Sequence, residues 1–294
     1  MARIISNVRV WGEMIKFSHS IFALPFALLA TFLAAQPARP TGGQLGLILL
    51  AMVSARSAAM TFNRISDAEL DARNPRTHAR ALPQGQISRG AAWGFFSTAG
   101  LAFVLACAGF WWVGRNPWPI ALCAPVLLLL CAYSYTKRLT PWSHVILGAA
   151  IAFAPVAAWI AISPGTLGLT AGLLMGAVLF WIAGFDIIYA CQDVDFDRRA
   201  GLQSIPARFG IAAALWVARG FHVITVALLI AAGFQAQLGA LYFAGVSGVA
   251  LLLTIENALV RPTDLSRVNV AFFTVNGVVG VLLGLLGVLD VVLR

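Results

Sequence analysis

The chain has 294 residues, of which 60% are hydrophobic and only 11% are charged. Soluble domains carry roughly a quarter charged residues, so this composition excludes an ordinary soluble enzyme and predicts an all-α, polytopic membrane protein. The formal net charge of +9 is also found in proteins that bind nucleic acid or acidic lipid surfaces. The positions of the charges favour membrane topology instead, so we expect the lipid bilayer and no nucleic acid as a partner.

Apolar stretches long enough to cross a bilayer follow one another along the whole chain, which we interpret as a single domain. The short N-terminal segment, residues 1–17, contains Arg3, Arg9 and Lys16 but no short apolar core with a cleavage site, so we expect no cleaved signal. Turn-forming pairs such as Asn116-Pro117 separate the stretches. The nine predicted spans are 18–36, 44–62, 91–113, 117–134, 143–163, 166–190, 211–234, 237–258 and 268–290.

Basic residues are concentrated on one side of this predicted topology. Fifteen of the 20 Lys and Arg fall in the N-terminal segment and in the loops 63–90, 135–142, 191–210 and 259–267. Because Lys and Arg are enriched in cytoplasmic loops, we expect these loops and the N-terminus to be cytoplasmic. The protein is then predicted to lie in a bacterial-type inner membrane with its polar motifs on the cytoplasmic side.

The segment 63–80, which follows the second predicted span, reads NRISDAELDARNPRTHAR. Asn63, Asp67 and Asp71 are four residues apart, so on a helix they lie along one face. Carboxylates at the edge of a membrane are costly unless cations occupy them. Carboxylate oxygens are the ligands of Mg²⁺, which keeps several waters and bridges to substrate phosphates. The motif therefore predicts a magnesium–diphosphate site.

A second pair of acids, Asp193 and Asp197, appears in the same topological place after the sixth predicted span. Seven of the 11 Asp and Glu lie in or beside the two motifs, whereas a generic membrane scaffold would scatter them. We expect both motifs to face one cavity and to supply the catalytic and metal-binding residues Asn63, Asp67, Asp71, Asp193 and Asp197. Asp186, seven residues before Asp193, either supports this pair or is an internal hydrogen-bonded acid.

Cationic side chains in the same loops are suited to hold phosphate oxygens. We expect Arg76, Arg80 and Lys137 to contact the diphosphate, and Tyr133, four residues before Lys137, to face the same site. Arg199 fits a substrate contact and a purely topological role equally well. We interpret the remaining loop arginines as topology residues: Arg73, Arg89, Arg261 and Arg267.

Cysteine and histidine give no metal-binding pattern. The cysteines lack C-x-x-C spacing and are interpreted as packing residues: Cys107, Cys123, Cys131 and Cys191. The histidines show no paired ligand spacing, and none is assigned to a metal: His19, His78, His144 and His222.

Taken together, these motifs resemble those of the UbiA superfamily of intramembrane prenyltransferases. The matching residues are Asn63-x3-Asp67-x3-Asp71, Arg76-Thr77-x2-Arg80, the run from Ser134 to Arg138, and Tyr189-Ala190-x2-Asp193-x3-Asp197 with Gly201 and Ser204. The resemblance implies a bundle of nine helices around a cavity open to lipid. It also implies that the two Asp motifs bind Mg²⁺ and a polyprenyl diphosphate, with an aromatic acid acceptor beside the C1 carbon.

Within this superfamily the chain is most similar to the 4-hydroxybenzoate polyprenyltransferases of ubiquinone synthesis. It differs from their pattern at Arg64, Ala81 and Gln203, and its run 16–25 is more similar to the branch that serves menaquinone synthesis through futalosine. An aminodeoxyfutalosine-type benzoate is therefore the alternative acceptor. An alternative of another class is a membrane transporter, although its ionisable residues would lie along the whole translocation path rather than at cytoplasmic helix ends.

Overall fold

The computed structural model describes residues 10–15 and 20–294. Residues 1–9 and 16–19 lie outside this description. Part of the predicted topology and of the family resemblance rests on them. The described chain is helical, with one isolated bridge between Arg261 and Asp264. The helices are α1 (Ser20–Ala35), α2 (Gly42–Arg73), α3 (Arg89–Gly114), α4 (Trp118–Ala132), α5 (Ser143–Ile162), α6 (Leu169–Ala190), α7 (Val194–Ala200), α8 (Ile205–Phe209), α9 (Ile211–Gln235), α10 (Ala240–Leu259) and α11 (Asn276–Leu293, continuous with a π-helical turn at Val270–Val275).

Each of the nine predicted spans overlaps one long helix of the structure. In the described part of the chain, eight helical segments are long and apolar enough to cross a membrane. The ninth, α1, has 16 residues, which is short for a full span at a rise of about 1.5 Å per residue. The all-α, polytopic architecture is therefore confirmed, and α1 is the element that makes the count of nine approximate.

Helix α2 differs most from its predicted span of 44–62, because it continues without interruption to Arg73. It begins with a capping box, in which the Thr41 hydroxyl accepts from the Gln44 amide and the Gln44 side chain accepts from the Thr41 amide. It ends where Asn74 turns extended ahead of a proline. This continuous helix carries the first polar motif on one face, above the apolar part of the same helix.

The long helices form a closed ring with a smaller group beside it. Helices α1, α5, α6, α9, α10 and α11 pack in that order, and α11 returns to α1. Helix α6 belongs to the most buried of the eight membrane-length segments, and Trp181 at its centre is fully buried among aromatic and aliphatic side chains. Helices α2, α3 and α4 attach to the ring through the contacts of α2 with α1 and of α4 with α5, which leaves a space between the two groups.

A buried polar network ties α6, α10 and α11 together inside the apolar core. The Trp181 indole donates to the Asn276 side chain over 2.6 Å, and the Asn276 amide donates to Glu256 over 2.7 Å. Asn276 follows the π-helical turn and also donates to the Ala271 carbonyl within it. Polar groups in such an environment need partners, so this network fixes how the three helices meet.

Helices α5 and α6 approach closely at Gly148, one turn after the start of α5. A Cβ atom there would lie 2.4 Å from the carbonyl oxygen of Leu179 and 3.3 Å from the Cβ of Ala183. Small residues permit such close backbone contact between membrane helices. The absence of a side chain at Gly148 therefore sets the spacing between two walls of the cavity described below.

We expect Gly148→Ala to lower the stability of the bundle, because the added methyl group meets backbone rather than a flexible side chain. Overpacking of this kind costs about 1–3 kcal/mol, which should appear as a drop of several degrees in the apparent Tm of the detergent-solubilised protein. Gly172→Ala in α6 is the matched control, since a Cβ there meets nothing within 4 Å and alanine is the better helix former. Equal Tm values for the two variants would contradict the close approach.

Candidate active site

A cavity of about 660 Å³ lies between α2, α4, α5 and α6, with contributions from α1, α3 and α11. Both polar motifs line it, Asn63, Asp67 and Asp71 from α2 and Asp193 and Asp197 from the segment after α6. Of the ten residues that the sequence predicts for the site, only Arg199 is not on its wall. The expectation that two distant motifs meet at one cavity thus agrees with the geometry.

Asp67 is the most enclosed acid of the first motif, with only 3% of its side chain exposed. Its Oδ2 lies 2.6 Å from Lys137 Nζ, and its Oδ1 lies 3.2 Å from Arg138 Nη2. The Asn63 amide also donates to Asp67 over 3.2 Å. A carboxylate this buried stays charged only when such partners surround it, so the turn Tyr133–Arg138 after α4 is bound to α2 through this group.

Asp71, one turn further along α2, is paired with Arg80. The Nη1 atom of Arg80 lies 2.7 and 2.8 Å from the two carboxylate oxygens. The Thr77 hydroxyl also donates to the Asp71 carbonyl. The loop that follows α2 is therefore folded back over the end of its own helix.

Arg76 in the same loop reaches across the cavity to Asp193. Its Nε donates to Asp193 Oδ1 over 2.8 Å, its Nη2 donates to Oδ2, and its Nη1 donates to the Tyr189 hydroxyl over 2.8 Å. The Asn74 amide adds a bond to Asp193 Oδ1 over 3.1 Å. Burial of Arg76 opposes its charge, but the hydrogen bonds and charge of Asp193 outweigh burial and raise the pKa of this guanidinium above its ordinary value.

The second motif is not the continuous helical ladder that its spacing suggests. Helix α6 ends at Ala190, a 3₁₀ turn follows, and Asp193 precedes the short helix α7 that carries Asp197. The chain then reverses at Gly201, whose φ of 68° is accessible to glycine at little cost. This reversal brings the Ser204 hydroxyl within 2.8 Å of Asp197 Oδ2. Asp193 therefore reaches the cavity from the 3₁₀ turn and Asp197 from the short helix α7, rather than both from the end of α6.

Of the remaining predicted residues, some line the cavity and others do not. Tyr133 and Lys137 both line the cavity, as the four-residue spacing suggested. Arg199 instead donates to the Asp195 carbonyl outside the cavity, so the geometry gives its predicted substrate contact no support. Arg89 forms an exposed pair with Glu69, in line with its topological interpretation. All four cysteines are free thiols.

Of the basic residues on the cavity wall, three were not identified from the sequence as part of the site: Arg56, Arg64 and His144. Arg56 lies seven residues before Asn63, hence two turns deeper on the same face of α2, and its buried Nε has no hydrogen-bond partner among the described residues. A charged residue in the middle of an apolar span was the signal, since such residues are rarely without function.

Arg64, which departs from the family pattern, is explained by its contacts. Its Nε donates to the Met14 carbonyl over 3.2 Å, and its Nη1 lies 3.4 Å from Asn63 Oδ1. The side chain is buried and so attaches the described N-terminal turn at 10–14 to the motif. His144 is hydrogen-bonded to Asp186 over 2.7 Å, a pairing across 42 residues that periodicity does not reveal.

Comparison with known proteins identifies the family to which the chain belongs. The model of the UbiA prenyltransferase family matches residues 23–278, so the chain belongs to that family and is a prenyltransferase. A 4-hydroxybenzoate octaprenyltransferase of Sodalis glossinidius is 30% identical over 95% of this chain and 96% of its own length.

Two solved structures are similar to this one. A UbiA homologue from Aeropyrum pernix K1, determined without ligands, has a TM-score of 0.83 and 32% identity, covering 92% of this chain and 98% of its own. A homologue from Archaeoglobus fulgidus bound to GPP and Mg²⁺ has a TM-score of 0.73 and 20% identity, covering 96% and 99%. The second likeness is evidence for the fold alone.

We expect Arg76→Gln to release the loop 74–88 from the end of α6, because the variant loses the charge and most of the bonds to Asp193. Amide hydrogen exchange in that loop should rise by about tenfold or more, the equivalent of about 1.4 kcal/mol. Arg89→Gln is the control, since its pair with Glu69 is 65% and 80% exposed and such pairs contribute little. Unchanged exchange in Arg76→Gln would show that the ion pair does not hold the loop.

Proposed function

We propose that the protein transfers a polyprenyl group from polyprenyl diphosphate to the ring of 4-hydroxybenzoate, a step of ubiquinone-type quinone synthesis. One observation carries the proposal: two acidic motifs with paired cations face each other at one end of a cavity that is otherwise mainly apolar. The activity named for the Sodalis glossinidius relative supports the same reaction. The positions of the basic loops support a site on the cytoplasmic side of an inner membrane.

Lys137, Arg80 and Arg76 are the groups that we assign to the diphosphate. Each lines the cavity and is held by one acid, Asp67, Asp71 and Asp193 respectively, at 2.6, 2.7 and 2.8 Å. Guanidinium and ammonium groups bind phosphate oxygens strongly, and the carboxylates keep these cations at the cavity before substrate arrives. The site is thereby organised for an anion although its fixed charges are largely balanced.

The donor set also fits a divalent metal, which we propose to be Mg²⁺. Asn63, Asp67, Asp71, Asp193 and Asp197 present hard oxygen ligands from two walls of the cavity. Among the described residues no three acidic, histidine or cysteine side chains are grouped closely enough to hold a metal by themselves. That arrangement suits Mg²⁺, which usually takes one or two carboxylates and completes its shell with water and substrate phosphates.

The apolar part of the cavity fits the prenyl chain. Phe103, Phe110, Leu129, Ile151 and Phe185 contribute to its wall below the charged end. An isoprenoid chain bound there has its C1 carbon at the boundary between the charged and the apolar surfaces. We infer that this boundary is where the reaction takes place.

The residues then have separate tasks in the reaction. Lys137, Arg80 and Arg76 stabilise the negative charge that develops on the departing diphosphate. A Mg²⁺ ion held by the two acidic motifs would supply Lewis-acid stabilisation of the same charge. The apolar wall excludes water from the allylic cation that remains. The electron-rich phenol ring, held beside C1, attacks through the carbon next to its hydroxyl group.

Arg56 is our candidate for the acceptor's carboxylate. It lies about 10 Å deeper than Asn63 along α2, at a rise of about 1.5 Å per residue, and its Nε lacks a partner among the described residues. A buried guanidinium without a hydrogen-bonded anion is costly, and an aromatic carboxylate supplies that anion. Because an aminodeoxyfutalosine-type benzoate carries the same group, the choice between the two acceptors is left to the assay.

The first test measures prenyl transfer in membranes that contain the protein, with labelled polyprenyl diphosphate, Mg²⁺ and either acceptor. We expect Asp67→Asn and Asp193→Asn each to lower kcat by about 100-fold or more, and EDTA to abolish turnover. Asp264→Asn, an exposed acid remote from the cavity, should retain activity.

The outcomes separate the candidate functions. Product with only the futalosine-type acceptor would keep the chemistry and move the protein to menaquinone synthesis. Turnover that persists in folded Asp67→Asn or Asp193→Asn would refute the proposed metal role. Substrate uptake into vesicles without diphosphate release would favour a transporter instead.

The second test concerns Arg56→Met, which keeps the length of the side chain and removes its charge. Loss of a charge-assisted hydrogen bond of about 1.5–3 kcal/mol should raise KM for 4-hydroxybenzoate about 10- to 100-fold and leave KM for the diphosphate nearly unchanged. The methyl ester of the acceptor should lose much less in this variant. Arg219→Met, where the arginine lies over the Trp216 ring away from the cavity, is the control; equal KM values in both variants would rule out the assignment.

A further inference from the structure

A second polar pair, His144 of α5 and Asp186 of α6, lies on the cavity wall and takes part in none of the ion pairs of the diphosphate end. His144 Nδ1 and Asp186 Oδ2 are 2.7 Å apart. The His144 side chain is 5% exposed, whereas that of Asp186 is 23% exposed. The pair therefore presents its carboxylate to the cavity, with the imidazole behind it.

The hydrogen bonds of His144 define its protonation. The backbone amide of Ile205, at the start of α8, donates to His144 Nε2 over 3.3 Å. Since Nε2 is the acceptor, the ring proton is on Nδ1 and is donated to Asp186. The close approach at Gly148 brings α5 near enough to α6 for this contact. Both ring nitrogens of His144 are thus engaged, and the ring holds one oxygen of Asp186 in a fixed direction.

The other oxygen of Asp186 is available to a ligand. Its only hydrogen bond or ion pair within the described structure is the one to His144. The cations of the diphosphate end are committed elsewhere, Lys137 to Asp67, Arg80 to Asp71 and Arg76 to Asp193. A carboxylate that is mostly enclosed and accepts one bond has room for a further donor, and a bound substrate can supply it.

The surroundings of Asp186 relate it to the acceptor. Asp186 and Arg56 line the same cavity. The Tyr133 side chain, also on the wall, lies within electrostatic range of both. A 4-hydroxybenzoate whose carboxylate binds Arg56 has its hydroxyl at the opposite end of the ring, where a hydrogen-bond acceptor is required.

We propose that Asp186 accepts the hydrogen bond of the acceptor's phenol hydroxyl and takes its proton during ring attack, and that His144 is the positioning residue for this carboxylate. The inference rests on the proposed function, since it assigns the second end of the same acceptor. It makes Asp186 a catalytic residue in addition to the two motifs.

The proposed step balances as follows. The ring carbon next to the hydroxyl forms a bond to C1 of the prenyl group as the C1–O bond breaks, and that electron pair leaves with the diphosphate. Positive charge spreads to the phenol oxygen, whose proton passes to Asp186 and leaves a neutral dienone. The hydrogen of the attacked ring carbon then leaves as a proton to the released diphosphate, and Asp186 returns its proton to the oxygen. The products are the prenylated phenol and protonated diphosphate.

The test uses the full chain in membranes with labelled geranyl diphosphate, Mg²⁺ and saturating 4-hydroxybenzoate. For Asp186→Asn, which keeps the shape of the side chain and removes its basicity, we expect kcat to fall by about 100-fold or more. KM for geranyl diphosphate should stay within about twofold, because the diphosphate end is intact. Asp264→Asn again serves as the control.

His144 provides a second and independent pair of variants. His144→Gln retains an amide donor for Asp186 and an acceptor for the Ile205 amide, whereas His144→Leu retains neither. We expect His144→Leu to lower kcat about tenfold and His144→Gln to restore most of that loss, with the apparent Tm of the two variants recorded in parallel. A merely structural role would make kcat follow Tm.

Each outcome has one meaning. Wild-type protein that makes no prenylated product with either acceptor would refute the proposed function itself. Active wild-type protein together with Asp186→Asn turnover within threefold of it, or with equal rates in the two His144 variants, would refute the role of the pair. If Asp186→Asn fails to fold, the His144 variants decide the question alone.

Discussion

The arrangement depends on one electrostatic constraint: carboxylates at the end of an apolar helical bundle must have cationic partners. Asp67 illustrates it, because this acid is almost fully enclosed and yet lies against Lys137 and Arg138. Removing one partner from a buried pair leaves a charge that costs several kcal/mol. The chain segments that bear the cations are therefore held at the cavity by the same acids that we assign to the metal.

This constraint explains why two sequence-distant loops cover one site. The loop after α2 carries Arg80 back to its own helix and Arg76 across to Asp193. The turn after α4 carries Lys137 to Asp67. Each pair joins two elements, and the pairs together close the charged end of the cavity. When a diphosphate enters there, the cations exchange carboxylate oxygens for phosphate oxygens. They therefore need not be gathered from solvent at the moment of binding.

The sequence predicted the parts of the molecule whose signals are local. Span lengths, loop charges and the four-residue spacing of Asn63, Asp67 and Asp71 each follow from a short window, and the helices agree with them. The second motif was harder, because a 3₁₀ turn separates α6 from the short helix α7 that carries Asp197, so the motif does not continue α6. Spacing alone carries no information about where a helix of apolar residues stops.

Contacts between side chains that are far apart in the chain could not be predicted from the sequence, for a different reason. His144 and Asp186 are 42 residues apart, and their contact requires the close helix approach that Gly148 permits. Arg56 was visible as a charge within an apolar span, but the lack of a partner for its Nε among the described residues emerges only when the surrounding helices are in place. Whether a polar side chain has a hydrogen-bond partner depends on how the bundle packs. It could therefore not be predicted from composition or from helical periodicity.

The polarity of the cavity changes with depth in the order that the proposed reaction needs. Ion pairs lie at the outer end, Arg56 lies about two helical turns below Asn63 on α2, and aromatic and aliphatic side chains complete the wall. An allylic cation formed between the first and the second of these layers has the diphosphate on one side and the electron-rich ring on the other. Placing any of the acids deeper would stabilise the cation in the wrong position, because charge interactions strengthen as the surroundings become less polar. The confinement of the paired acids to the ends of α2 and α6 therefore allows a carbocation to form inside an apolar bundle and react with the aromatic ring before water reaches it.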